Sequence, residues 1–169
     1  MVFFMHIDEG DVVLFEELRK DYCRNTSLRS KIVCFFIRGG ECKFYTKIIF
    51  YLLNLCFVIL PYGIEILPGT RIGGGLRLPH LNGIIIHPTA EIGEDCTIFQ
   101  QVTIGVNECD TEATKKAAKI GDCCYIGAGA KIIGNIRIGN NVRIGANAVV
   151  ISDIPSDCTV VGFYRVIKR

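Results

Sequence analysis

"KIGDCCYIGAGAKIIGNIRIGNNVRIGANAVV", residues 119–150, decides the fold. Ile120, Ile126, Ile132, Ile138, Ile144 and Val150 fall six residues apart in and around it. Four residues after each isoleucine comes a second, mostly small or aliphatic position: Cys124, Ala130, Ile136, Val142, Ala148. Two inward positions in every six fit neither the 3.6-residue period of a helix nor the alternation of an ordinary strand. The residue after the isoleucine is repeatedly glycine (Gly121, Gly127, Gly139, Gly145), and Asn140, Asn141 and Asn147 fall where tight corners need unusual backbone angles.

The period extends toward the N-terminus through Ile86, Ile92, Ile98 and Ile104, and through Ile66, Ile72 and Leu78, with Thr70, Leu76, Ala90, Cys96 and Val102 in the second position. Three hexads close a triangular coil of about 18 residues, and stacked coils pair as parallel strands around a dry aliphatic core. Ile138 should therefore stack on Ile120, and Ile144 on Ile126. The period breaks twice. Leu78 to Ile86 is two residues too long, at "HLNG"; Ile104 to Ile120 is ten too long, in "VNECDTEATKKA". Residues added to a solenoid must leave its core as loops, and loops on a rigid scaffold are where function is placed.

Before residue 63 the texture differs. "DVVLFEELRKDY" carries apolar residues at three-to-four spacing, with Asp11 as the expected N-cap. The uncharged run Ile48 to Ile64, interrupted by Asn54 and Pro61, falls short of a membrane-spanning helix. It is expected to be a buried helix packed on the following domain, with peripheral membrane contact as an alternative. The division expected is a short helical region at 1–62 and a β-helix at 63–169 with an inserted loop at 106–118.

The chain has 169 residues, 19 basic and 17 acidic, for a formal net charge of +2, so no electrostatic footprint for nucleic acid stands out. "MVFFMHIDEGD" does not read as a secretory signal, and a cytoplasmic protein is expected. Nine cysteines, none in a CxxC pair, read as free and mostly buried thiols. The repeats hold only His80 and His87, too few for a three-histidine zinc site, and no metal is expected.

These repeats resemble the hexapeptide-repeat acyltransferases, whose domain is a left-handed parallel β-helix, an exception to the usual right-handed crossover. "GIEILPGTRIGGGLRLPHLNGIIIHPTAEIGEDCTIFQQVTIG" and residues 119–150 resemble one branch in particular, the serine O-acetyltransferases and similar short O-acetyltransferases of surface polysaccharides. The resemblance implies an acetyl-CoA-dependent transferase working as a homotrimer or a dimer of trimers. It implies His80, in the H-x-x-G step completed by Gly83, as general base, and Glu65, at the family's aspartate position, as the carboxylate that orients it. It also implies that Gly127, Ala128, Gly145 and Ala146 flank acetyl-CoA and that Arg143 lies near the cofactor. An imidazole titrating near neutrality suits the removal of a hydroxyl proton without metal. His87, before Pro88, reads as a corner or interface residue, and His6 as part of the tail.

The chain departs from serine O-acetyltransferases where they hold the amino acid. An acid before the base and an Arg-His pair late in the long loop are replaced by Pro79, Lys116 and Ala117. A zwitterion lacking charged partners is costly to hold. A sugar hydroxyl of a surface polysaccharide or its precursor is therefore the expected acceptor, ahead of L-serine, with a non-catalytic β-helical assembly protein as the third reading.

Overall fold

A computed structural model describes residues 9–38, 52–67, 70–109, 111 and 115–162. The six-residue period becomes a run of short strands: β1 (Glu65–Ile66), β2 (Arg71–Ile72), β3 (Ile85–Ile86), β4 (Glu91–Ile92), β5 (Thr97–Ile98), β6 (Thr103–Gly105), β7 (Lys119–Ile120), β8 (Tyr125–Ile126), β9 (Lys131–Ile133), β10 (Arg137–Ile138), β11 (Arg143–Ile144), β12 (Val149–Val150) and β13 (Thr159–Val160). They form three parallel sheets, the faces of a prism: face A is β1-β3-β6-β9-β12, face B is β2-β4-β7-β10, and face C is β5-β8-β11-β13. The second residue of nearly every strand is buried and its predecessor faces out, so the isoleucines stack as columns in the core.

Both breaks in the period are visible in the register. Without insertion the partners lie 18 apart, as Ile138 on Ile120 and Ile144 on Ile126. Across "HLNG" Ile86 pairs with Ile66, 20 apart. Across 106–118 Ile120 pairs with Ile92, 28 apart. The last coil is two residues short, with Arg143 on Thr159, a compression that the period did not signal. The corner expectation holds for Asn141 and Asn147, at φ 55 and 57. It is corrected for Asn140, whose Oδ1 instead accepts the Asp122 N–H at 2.9 Å. Asp95, Gln101, Cys123 and Asp157 take the same left-handed conformation without being glycine or asparagine.

Two helices, α1 (Glu9–Arg24) and α2 (Leu28–Arg38), cover the open end of the prism. Asp11 lies inside α1 rather than capping it, because the helix begins at Glu9. The first coil has no coil before it, so its backbone groups need partners from elsewhere. Helix side chains supply them. Asp21 accepts the Leu76 N–H at 2.7 Å; Asn25 bridges the Leu76 carbonyl at 2.7 Å and the Leu78 N–H at 2.9 Å; Ser30 donates to the Leu78 carbonyl at 2.8 Å. Arg38 donates to the Ile72 and Gly73 carbonyls and pairs with Asp21 at 3.0 Å. All four of these polar residues are buried.

Residues 39–51, and with them part of the uncharged run, lie outside the described residues. Its remainder is helical, with a π-turn at Leu55–Ile59 leading into Leu60–Tyr62. The widened turn precedes Pro61, which has no N–H to donate back along an α-helix. The Phe57 ring stacks on Phe36 of α2, centroids 5.5 Å apart. The expectation of a buried helix is corrected: Asn54 and Val58 are buried, but Leu52, Phe57 and Leu60 are 52–72% exposed. The mostly-buried reading of the cysteines is corrected too. Cys34, Cys96 and Cys124 are buried, whereas Cys23, Cys56, Cys109 and Cys123 are exposed, and Cys42 lies outside the described residues.

Candidate active site

Each coil turns from face C to face A through one corner, and these corners stack into an edge of the prism. Hydrogen bonds tie them level by level: Gln101 N–H to the Asn82 carbonyl, Gly129 N–H to Gln100, and Asn147 N–H to Ala128, each at 2.8 to 2.9 Å. The two-residue insertion falls at this corner in the first coil, because a longer connection can leave the prism only where the chain already turns. Of the residues it carries, Asn82 is exposed and so is His80. Below it on the edge come Phe99 and Gln100, then Gly127 and Ala128, then Gly145 and Ala146. The His80 ring lies 6.1 Å from that of Phe99, which lies 5.0 Å from Tyr125.

The fold thus sets His80 in line with the four small residues. Below Gln100 that edge carries nothing larger than a methyl group at Gly127, Ala128, Gly145 and Ala146. Arg143 is exposed on face C beside this edge, stacked on Tyr125, with no ion pair among the described residues. Gly127 has a structural reason of its own. A Cβ there would lie 2.7 Å from the Ala146 nitrogen of the next coil. At Gly145 the nearest atom, the Val160 carbonyl oxygen, is 3.2 Å away, so the stacking constraint is weaker.

Glu65 is on face A in register with Ile85. It opens into a groove of about 450 Å³ with Ile85, His87, Thr103 and Glu108, whereas His80 opens into a different cavity of about 350 Å³. No hydrogen bond joins Glu65 to His80 among the described residues. His87 is braced at its corner. Its Nδ1 accepts the Thr89 N–H at 3.2 Å and lies 2.9 Å from the Thr89 hydroxyl, which accepts the Ala117 N–H at 3.0 Å. This contact anchors the end of the 106–118 loop. Lys116 lines a third cavity with Arg71 and Glu91 and Ala117 is buried, so neither enters the His80 cavity. Face B bears an ion ladder instead: Glu91 meets Lys119 at 2.8 Å and Arg71 at 3.1 Å, and the hydrogen bond from Lys119 holds the Glu91 carboxyl below its usual range.

Apart from the insertion itself, sequence reasoning missed five residues of the His80 cavity: Ser27, Arg29, Ser30, Tyr62 and Gln100. Gln100 had a signal, since Phe99, Gln100 and Gln101 are large where later coils have glycine and alanine at this corner. Arg29 and Tyr62 come from outside the repeats, and no period marks them.

Residues 117–152 match the family described as Bacterial transferase hexapeptide (six repeats). A serine acetyltransferase of Synechococcus elongatus is 48% identical over 108 residues, covering 63% of this chain and 43% of that protein. One from Helicobacter pylori is 48% identical over 100 residues, covering 59% and 57%. The chain therefore spans about half the length of the curated relatives it matches. Among solved structures, a Neisseria gonorrhoeae serine acetyltransferase in complex with serine superposes with a TM-score of 0.70 at 30% identity, covering 92% of this chain and 67% of that one. An Entamoeba histolytica serine acetyltransferase in complex with cysteine gives 0.71 at 28% identity, covering 95% and 61%. With its hexad columns, three parallel faces and left-handed β-helix, the chain belongs to the hexapeptide-repeat acyltransferases, in their serine acetyltransferase-like branch.

Proposed function

We propose that this protein is an acetyl-CoA-dependent O-acetyltransferase in which His80 is the general base. The observation that carries the reading is the common edge: an exposed imidazole stands, one corner removed, in line with a column of corners small enough to admit the acyl donor. Acetyl-CoA supplies an activated carbonyl carbon. His80 takes the proton from the acceptor hydroxyl as its oxygen attacks that carbon, and returns the proton to the departing thiolate. Arg143, free of ion pairs among the described residues, is placed to meet the donor's phosphates.

Glu65 completes this mechanism in a homotrimer. The outward column of face A runs Glu65, Ile85, Thr103, Lys131 and Val149, and its exposed Ile85 and Val149, with Ile151 and Val161, give it apolar points suited to a subunit contact. Packing it against the edge of the next subunit would bring Glu65 toward that subunit's His80, where a carboxylate would fix the ring's tautomer. Assembly into a dimer of trimers would fit the same contact.

L-serine is the first acceptor in this reading. Its support is the 48% identity, over 108 and 100 residues, to two proteins named serine acetyltransferase. A surface-polysaccharide sugar, the acceptor expected from the sequence, is the second, supported by Pro79 beside the base and by the absence of Lys116 and Ala117 from the cavity. The test is chromatographic release of free CoA with L-serine and a sugar panel. His80→Ala should lower turnover roughly 10²- to 10⁴-fold, and retention of most of the rate would remove His80 as base. No CoA release with any acceptor would favour the non-catalytic assembly reading.

We place the protein in the cytoplasm, at the inner membrane face. No helix among the described residues is long and apolar enough to cross a membrane. Leu52, Leu55, Phe57 and Leu60 nevertheless form an exposed apolar face, preceded in sequence by Lys43 and Lys47, with Glu41 and Glu65 as the nearest acids on either side. Such a face suits anionic lipid.

A further inference from the structure

Four residues follow an inward residue of face C into the corner that carries His80: Pro79 after Leu78, Phe99 after Ile98, Gly127 after Ile126 and Gly145 after Ile144. The strand register sets Phe99 over Gly127 and Gly127 over Gly145. Backbone bonds hold that stack, from the Phe99 N–H to the Ile126 carbonyl at 3.0 Å and from the Gly127 N–H to the Ile144 carbonyl at 2.8 Å. The column of small corners therefore ends, toward His80, at a phenyl ring. That ring is half-buried, and its centroid lies 6.1 Å from the His80 imidazole on one side and 5.0 Å from the Tyr125 ring on the other. Aromatic pairs at this separation and tilt attract beyond the area they bury, so Tyr125 holds the Phe99 ring in one place. Both rings stand outside the cavity of about 350 Å³ that His80 opens into, whose wall includes Ser27, Arg29, Ser30 and Asn82. His80 thus divides a polar cavity from an apolar pair of rings.

We infer that Phe99, held by Tyr125, sets the length of the acyl group that this protein transfers. The inference rests on the reading of His80 as base and of the small corners as the donor's path, and it deepens that reading by naming the residue that selects the donor. A donor laid along Gly145 and Gly127 brings its thioester to the level of Phe99 before it reaches His80. There the ring gives an acetyl methyl group an apolar wall. Each further methylene must displace a side chain pinned between two other rings, and a core packed in this way resists added volume. One methylene in an apolar pocket discriminates by roughly 10- to 200-fold.

The experiment compares acetyl-, propionyl- and butyryl-CoA as donors for the unsubstituted protein, Phe99→Ala, Phe99→Leu and Tyr125→Leu. CoA release with L-serine and the sugar panel is read for kcat and KM, and calorimetric titration reads binding of each thioester without acceptor. The unsubstituted protein should prefer acetyl-CoA, and Phe99→Ala should narrow its preference over butyryl-CoA by roughly 10- to 200-fold. Phe99→Leu should narrow it less, Tyr125→Leu should shift it in the same direction, and the acceptor KM should stay unchanged in all three. Equal turnover of acetyl- and butyryl-CoA by the unsubstituted protein, or a preference that Phe99→Ala leaves intact, would overturn the inference while the acetyltransferase reading stands. Should urea denaturation show Phe99→Ala unfolded, Phe99→Leu and Tyr125→Leu decide, and an unchanged preference in both overturns it. If no donor releases CoA, the acetyltransferase reading falls and the titrations judge Phe99 by themselves. Butyryl-CoA binding gained relative to acetyl-CoA in Phe99→Ala supports its role; an unchanged ratio, or no thioester bound by the unsubstituted protein, overturns it.

Discussion

Gly127 and Gly145 occupy equivalent corners one coil apart, yet they are glycine for different reasons. At Gly127 the next coil leaves no room for a methyl group, because the Ala146 nitrogen is 2.7 Å from where Cβ would stand. At Gly145 the neighbour is 3.2 Å away and can give by a few tenths of an ångström. Gly127→Ala should therefore cost about 1–3 kcal/mol of stability and Gly145→Ala clearly less, as read by urea denaturation; equal losses would show that coil stacking is not the constraint. The thiols allow a second prediction. Burial pushes the Cys34 thiol well above its ordinary range, and Cys124 together with burial does the same for Cys96. A thiol reagent applied to the folded protein should mark Cys23, Cys56, Cys109 and Cys123 within minutes and spare Cys34 and Cys96 until unfolding, as peptide mass mapping would show. Early labelling of Cys34 would mean that α2 does not stay docked.

At the scale of elements, the helix pair does for the first coil what each coil does for the next. Asp21 holds both the Arg38 guanidinium and the Leu76 N–H. Removing its carboxylate leaves the buried Leu76 donor unpaired and Glu17, at 2.8 Å, as the carboxylate still facing the Arg38 guanidinium, so Asp21→Ala should cost about 1–3 kcal/mol. Asp21→Asn keeps an acceptor for Leu76 and should cost less; urea melts of the two variants test the ordering. The ion ladder of face B behaves differently. Glu91 is held below its usual carboxylate range by Lys119, so its contribution is complete above the unfolded value near 4.3 and is lost as pH falls through the lower folded one. These groups are exposed, and Glu91→Gln should leave the melting temperature at neutral pH nearly unchanged. A large drop would mean that a subunit contact buries the ladder.

For the whole molecule, light scattering should give three or six times the subunit mass, and Val149→Glu with Ile85→Glu should yield monomers that have lost turnover; fully active monomers would remove Glu65 from any role across subunits. Flotation with vesicles containing phosphatidylglycerol should carry the protein, and Phe57→Glu with Leu60→Glu should release it without altering CoA release. Failure to float on anionic vesicles would remove the membrane placement.

The sequence by itself determined the columns, the faces and the edge that carries His80. A parallel ladder forces each residue over one a fixed number of positions away, so the period and the two insertion lengths together specify the stacking of every coil but the shortened last one. The same rule accounts for His80 lying in line with Gly127, Ala128, Gly145 and Ala146, which all follow an inward isoleucine or leucine into one corner. It could not specify the separation of Glu65 from His80 within a subunit, because that depends on how the two inserted residues leave the corner. Nor could it bring Arg29 to the cavity. That arrival depends on α2 docking through Asp21, Asn25, Ser30 and Arg38 onto an edge more than 30 residues away, a contact with no period. Repetition is a local rule and was legible; the approach of non-repeating helices to the first coil is set by side-chain complementarity, which only the tertiary structure decided.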